Sequence, residues 1–411
     1  MTVPAAPLLP LSGIRVVDLG RVIAAPYCTQ ILADLGAEVI KIEQLGVGDA
    51  MRGHGHSVIK DDAGDGVGLT PHFLSVNRSK KSIALDISTE GGQKIVRDLV
   101  SISDIFIENF KVGDLARYGL DYASLKAIRP DLIYCSITGF GQSGPYSKRP
   151  ATDGVFQAMS GMMSITGARG GPPSKISLVI SDIITGIYAA SAIQAALRVR
   201  EVQGGSGQHI DLALLDVAIA TMSHQAEHYL TTGDIPVAEG TASPGTAPAQ
   251  TFRCKDGDIL IQASANGSFR ALCRIIGRED LLEVEEFKTP VSRYRYLDLL
   301  EPELSREVAG WDVAPLYEAL IDAGVICAPV YNLAQTFADP QVQHRGVVQH
   351  VTEALSGQSL PLIANPIRFS DTPLPAGSAP PRMGADNAMV LGELLGYDAA
   401  MIAELKASGA V

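Results

Sequence analysis

"IRVVDLGRVIAAPYCTQILADLGAEVIKIE", residues 14–43, begins and ends on short runs of β-branched residues and carries a helix-like segment between them. "IRVVDLG" and "AEVIKIE" are too short and too rich in Val and Ile for helices, so each is expected to be a strand. "PYCTQILADLG" opens on Pro26, which a first helical turn tolerates, and stops at Gly36, so it is expected to be the connecting helix. The alternation continues along the chain. "TEGGQKIVRDLVSIS" (89–103) and "DYASLKAIRP" (121–130) read as helices, and "DIFIENF" (104–110) and "DLIYCSITGFG" (131–141) as strands. Short strands separated by helices of about ten residues make βαβ units and a parallel sheet. Ligands then belong beyond the carboxyl ends of the strands, which here fall at Gly20, Glu43, Phe110 and Gly139.

A chain of 411 residues is too long for one compact core. "AEGTASPGTAPAQ" (238–250) reads as a linker, followed by a hairpin in "TFRCKDGDILIQA" that turns at Lys255-Asp256-Gly257. Residues to about 330 fit a smaller α+β domain, and a Pro-rich stretch (370–384) precedes a last helix around "AMVLGELLG". With 41 Gly and 24 Pro in an otherwise ordinary globular composition, turns are plentiful and disorder is not indicated. The net charge of −12 argues against a general nucleic-acid binder. Five scattered cysteines, Cys28, Cys135, Cys254, Cys273 and Cys327, read as reduced thiols and suggest a cytoplasmic setting. The N-terminus lacks the basic and apolar regions of a signal peptide, and no uninterrupted apolar run suits a membrane span. His224 and His228 have an i,i+4 spacing, but Glu227 is misplaced for an HExxH motif, and no metal is expected.

Four stretches carry chemistry. "GFGQSG" (139–144) follows a strand, yet Pro145 and a turn-rich segment come after it, which favours a glycine-rich loop over a dinucleotide fingerprint. "SVNRSKKSIALDI" supplies Arg78, Lys80 and Lys81, and "IENFKVGDLARYGL" supplies Asn109, Lys111 and Arg117. Each is readable as a solvated turn or as a cradle for a phosphorylated ligand. "LVISDIITGIYAA" (178–190) places Asp182 in an apolar run at the start of a long helical stretch that ends at Gly204. Asp is a preferred N-cap, so a capping role is open. So is a reactive one, because a helix start holds a carboxylate ionised while apolar neighbours strip its water, leaving a competent nucleophile.

Taken together, "LSGIRVVDLGRVIAAPYCTQILADLGAEVIKIEQLGVGD", "NRSKKSIALDI", "LIYCSITGFGQSGP", "TDGVFQAMSGMMSITG" and "GGSGQHIDLALLD" resemble the family III CoA-transferases, and the resemblance spans essentially the whole chain. It implies an α/β fold with a Rossmann-like large domain from residues 1–225, a linker and small α+β domain over 226–330, and a return to the large domain over 331–411. It also implies an interlocked, ring-like homodimer. Coenzyme A and acyl-CoA would be substrates, with no tightly bound cofactor and no metal. The nucleophile of the family, which forms an acyl anhydride and then an aspartyl-CoA thioester, matches Asp182, and Asp153 matches an auxiliary position. The implied CoA contacts are Val22, Ile23, Ala24, Gln44, Leu85, Asp86, Ile87, Ser88, Asn109, Phe110, Lys111, Arg117 and Pro150 to Asp153.

Departures narrow the activity. Gln44 stands where formyl-CoA transferases carry an Arg near the adenine, and Ile23 replaces a Gln of the oxalate-using enzymes, so oxalate is not the expected acceptor. Racemases of the family carry a His before the Asp that Thr152 precedes here, so the second acid/base of a racemase is missing. The motifs resemble most the branch that uses succinyl-CoA and other dicarboxylates, with Arg52 or Lys148, each also readable as a surface charge, as candidate cation for the distal carboxylate. An acyl-CoA racemase, or a silent CoA-binding subunit of a heteromer, is the alternative.

Overall fold

The computed structural model describes residues 8–61 and 63–411. Six strands form one sheet: β1 (Arg15–Asp18), β2 (Glu38–Gln44), β3 (Lys80–Leu85), β4 (Ile105–Glu108), β5 (Ile133–Thr138) and β6 (His209–Ala213). Their spatial order is β3-β2-β1-β4-β5-β6, and every neighbouring pair is parallel. The order reverses between β1 and β4, the switch point where a doubly wound sheet opens a crevice. Alternate residues serve opposite faces, as the period of a strand requires. Val16, Val39 and Ile105 join a core with Leu32 and Ile193, while Val17, Ile40 and Phe106 join another with Ile95 and Leu99.

The quoted βαβ unit forms as expected, with its helix running over Ala24–Asp34 and Pro26 in the first turn. Helix Glu90–Ser101 is capped by the Thr89 hydroxyl, which accepts from the Gly92 N–H at 3.0 Å. The expected last helix divides. A π-helical turn spans Met389–Leu394, then Gly396 takes a φ of 70° and a fresh helix starts at Ala399.

The long helix covers Ile180–Gln203 and ends at Gly204 with a φ of 60°. By length and apolarity alone, with a mean hydropathy of 1.4, it would suit a bilayer, contrary to the expectation that no segment would. Its inner face is instead core: Ala189, Ala190 and Ile193 are buried with Cys28 and Leu32 of helix Ala24–Asp34. A Cβ on Gly186 would lie 2.8 Å from the Ala24 carbonyl oxygen, so glycine sets the close approach of the two helices.

The chain divides into two compact units. One holds the six-stranded sheet and comprises residues up to 162, 176–227 and 345–411. The other comprises 163–175 and 228–344. The smaller unit therefore keeps the chain to His344 rather than to about 330, and borrows the segment 163–175. Its sheet is antiparallel, β7 (Ala249–Arg253), β8 (Asp258–Gln262) and β9 (Ile326–Pro329), and the expected hairpin turn closes with Cys254 N–H donating to the Gly257 carbonyl at 2.8 Å.

Candidate active site

Residues 20–24 form the turn from β1 into the first helix, directly at the switch point. A Cβ on Gly20 would sit 2.4 Å from the Ala25 Cβ, so only glycine permits this entry. Val22 has a φ of 69°, a left-handed conformation that a β-branched residue adopts only when its surroundings impose it. Two neighbours do so. The Asp49 carboxylate accepts the Val22 N–H at 3.2 Å, and Asn109, just beyond β4, grips Arg21 from both sides. The Asn109 Oδ1 accepts the Arg21 N–H at 2.9 Å, and its Nδ2 donates to the Arg21 carbonyl at 2.7 Å.

A buried charge network underlies the turn. Lys41 Nζ pairs with Asp49 at 2.9 Å with both side chains fully buried, and donates to the Gly20 carbonyl at 2.8 Å. Burial opposes its charge, but Asp49, Asp18 and Glu43 outweigh it and hold the Lys41 pKa above the ordinary value. Lys80 Nζ pairs with Asp18 at 3.1 Å. Here burial wins, aided by repulsion from Lys41, and the Lys80 pKa falls to about 8. Arg52 makes a two-pronged pair with Glu43 at 2.7 and 2.6 Å and lies over the Phe73 ring at 3.7 Å.

These pairs correct two expectations. Arg52 is committed to Glu43, so it does not serve as a cation for a substrate carboxylate. Arg78 and Lys80 are buried in pairs with Asp34 and Asp18, and Lys81 pairs with Glu38. Lys80 and Lys81 begin β3, at the end opposite the ligand edge, so this basic run is scaffold rather than phosphate cradle. Lys148 is exposed and forms no ion pair among the described residues.

Above the network lies a cleft of ≈ 380 Å³. Of the residues expected to contact CoA, it gathers Gln44, Leu85, Asp86, Ile87, Ser88, Phe110 and Arg117 from the ends of β2, β3 and β4. It also gathers Arg21, which the sequence reading passed over although it directly follows the Gly20 strand end. The Arg21 guanidinium stands 4.2 Å over the Phe110 ring. Lys111 faces a separate 60 Å³ cavity with Glu108, Ser136 and His209. There burial pushes the Glu108 carboxyl up to about 7, against hydrogen bonds from Ser136 and the Phe110 N–H. Pro150 is exposed and outside the cleft.

Asp182 lies in the first turn of its helix, not at the cap, because the helix starts two residues earlier at Ile180. The cap position falls to Val179, which offers no side-chain acceptor. Asp153, 6% exposed, takes over that duty from another helix: its Oδ1 accepts the Ser181 N–H at 2.9 Å and its Oδ2 accepts Gln157 Nε2 at 2.7 Å. The Asp182 carboxylate has no hydrogen-bond or ion-pair partner among the described residues. Burial first, and the Asp153 carboxylate second, push its pKa up to about 7. The helix start therefore does not hold Asp182 firmly ionised as expected. The next residue, Ile183, packs with Ile23, and Gly186 packs on Ala24, so the loop that borders the cleft also abuts the Asp182 helix.

A partly dehydrated carboxylate with free lone pairs can attack an electrophilic carbonyl, and the two exposed guanidiniums of the cleft suit an anionic ligand. Known proteins give the family. The succinate–glutarate CoA-transferase of Agrobacterium fabrum is 42% identical over 385 residues, 94% of this chain and 96% of that one. The human succinyl-CoA:glutarate CoA-transferase is 37% identical over 408 residues, 98% of this chain and 90% of that one. A crystal structure of a CaiB/BaiF family protein from Brucella suis superposes with a TM-score of 0.86 at 40% identity, covering 94% of this chain and all of that one. The family model for CoA-transferase family III matches residues 11–387. The chain belongs to CoA-transferase family III and is a CoA-transferase.

Proposed function

We propose that this enzyme moves CoA from succinyl-CoA to a second small dicarboxylate, glutarate first among them, through covalent intermediates on Asp182. The observation that carries the mechanism is the unpartnered, half-buried Asp182 carboxylate with its pKa raised to about 7. A raised pKa makes the carboxylate more basic and, once ionised, a better nucleophile. The names of the two relatives supply the substrate class.

The steps balance without redox or net proton change. Asp182 attacks the thioester carbonyl and expels CoA thiolate, leaving a mixed anhydride. The thiolate attacks the Asp182 carbonyl carbon and releases the donor acid, which leaves an aspartyl-CoA thioester. The acceptor carboxylate attacks that carbon, expels thiolate again and forms a second anhydride. Thiolate attack on the acceptor's acyl carbon then frees Asp182. The nucleotide end of CoA occupies the cleft of Gln44, Leu85–Ser88 and Phe110, with Arg21 and Arg117 toward its phosphates. The thioester arm passes over Val22, Ile23 and Ala24 to reach Asp182. Asn109 acts through Arg21, whose backbone it holds, rather than by a side-chain contact with CoA.

Incubation with succinyl-CoA followed by hydroxylamine is expected to convert Asp182 alone to a hydroxamate, read by peptide mass spectrometry. Labelling elsewhere, or none while transfer proceeds, sinks the covalent route. We also propose a homodimer: Leu178, Val179, Ile187 and Tyr188, on and before the Asp182 helix, are 40–59% exposed. Light scattering is expected to give twice the 43.3 kDa chain mass. The free thiols of all five cysteines suit a reducing, cytoplasmic compartment.

A further inference from the structure

A second cavity, of ≈ 420 Å³, shares no lining residue with the CoA cleft. It runs along helix Ala24–Asp34 from Tyr27 toward the helix end, away from the turn that borders the cleft. Its floor is polar and settled. Arg78 Nε donates to Asp34 at 2.9 Å, Asn365 donates to the same carboxylate at 2.9 Å, and Gln30 bridges Arg78 and Ser75. Arg78, Gln30 and Asn365 are each less than a tenth exposed.

The walls are different. Arg345 and Arg368 both line the cavity, and neither has a carboxylate partner among the described residues. Arg368 is held rather than loose: its Nη1 donates to the Asn365 carbonyl and its Nη2 to the Arg345 carbonyl, each at 2.9 Å. A guanidinium has five N–H groups, so most of the donors of the pair are uncommitted. With Arg78 neutralised by Asp34, the cavity carries an excess of two positive charges, in a chain whose net charge is −12. Tyr27, Val347, Ile363 and Pro366 also line the cavity and give it apolar surface without charge.

We propose that this cavity is an anion-binding site, separate from the CoA cleft, that takes a small dianion with a short apolar body. Two guanidiniums suit two charged groups, or one doubly charged group, through charge-assisted forked hydrogen bonds. The apolar surface suits the spacer between the charges. The inference does not rest on the proposed transfer reaction. A dicarboxylate and a phosphorylated metabolite share the required chemistry, and the probes separate them.

The test uses the full chain saturated with CoA, titrated by calorimetry with glutarate and, in a separate arm, with inorganic phosphate. Glutarate is expected to bind in a class of sites that Arg345→Ala, and Arg345→Ala combined with Arg368→Gln, weaken by ~10-fold or more, as removal of charged hydrogen-bond donors does. CoA affinity is expected to stay unchanged. A binding class for glutarate at the acceptor position near Asp182 would survive both variants, so failure of the transfer reading and failure of this one give different results. Phosphate binding that is lost in the same variants supports the site and assigns it to a phosphorylated ligand. Binding of both probes unaltered by the variants, or loss of CoA affinity together with it, overturns the proposal. The Arg345 side chain makes no hydrogen bond or ion pair among the described residues, so Arg345→Ala tests the site without disturbing the fold.

Discussion

Asp182→Asn is expected to lose CoA transfer by at least ~10³-fold while CoA affinity changes little, because the amide keeps the shape and cannot form the anhydride. The pH dependence of the unmodified enzyme gives a second check on the same group. Attack needs the carboxylate, and burial together with Asp153 raises its pKa to about 7. The value of kcat/KM for acyl-CoA is therefore expected to rise with pH and level off above about 7. Asp153→Asn removes a repelling charge, so the inflection moves to lower pH. An inflection that stays in place shows that Asp153 does not tune the nucleophile. Stability follows with the opposite sense. A carboxyl whose pKa is higher folded than unfolded stabilises the protein fully below its unfolded value and loses that contribution as pH rises through about 7. Asp182→Asn should accordingly raise Tm at pH 8 and change it little at pH 4. The gain at pH 8 is roughly 1–3 kcal/mol, less than the full shift implies because Asp182 is only half-buried. An equal change in Tm on substitution at the two pH values would contradict a dehydrated, unpaired carboxylate.

Lys41→Met is expected to cost about 3–5 kcal/mol in denaturant unfolding, the usual consequence of stripping one partner from a buried charge pair. Lys41 is fully buried, and its loss leaves Asp49 unpaired and Asp18 without one of its two nearby cations. Asp49 is also the acceptor that holds Val22 in its left-handed conformation, so variants that still fold should show a raised KM for acyl-CoA. The exposed cluster of Arg169 with Glu239 and Asp298 is a control. Arg169→Ala should cost less than about 1 kcal/mol, since solvent screens such pairs. Similar losses for the two variants would show that burial of the Lys41 network contributes nothing special.

How far the site was legible depended on whether its signal was local. The βαβ alternation is local, because strand and helix periods differ and Gly36 and Pro26 punctuate them. β1, β2, β4 and β5 followed from it. The resemblance then named Gln44, Leu85–Ser88 and Phe110, and they do meet in one cleft. Side-chain partners are a different matter. Nothing near Arg78, Lys80 or Lys81 in the chain announces that Asp34, Asp18 and Glu38 claim them. The same holds for Arg52, which the turn after β2 brings onto Glu43, where the Asp49 N–H also donates to that carboxylate.

Sequence alone determined the parallel α/β class and its ligand edge, and it pointed to Asp182 as the proposed nucleophile through the motifs around it rather than through its own spacing. Only the tertiary structure decided the state of that carboxylate. From the chain alone the expectation was a dehydrated carboxylate that the helix start nevertheless keeps ionised. Folding brings Asp153 onto the Ser181 N–H, removes water from Asp182 and offers it no donor in return. Desolvation and a neighbouring charge act through space, between residues whose order in the chain does not encode their distance.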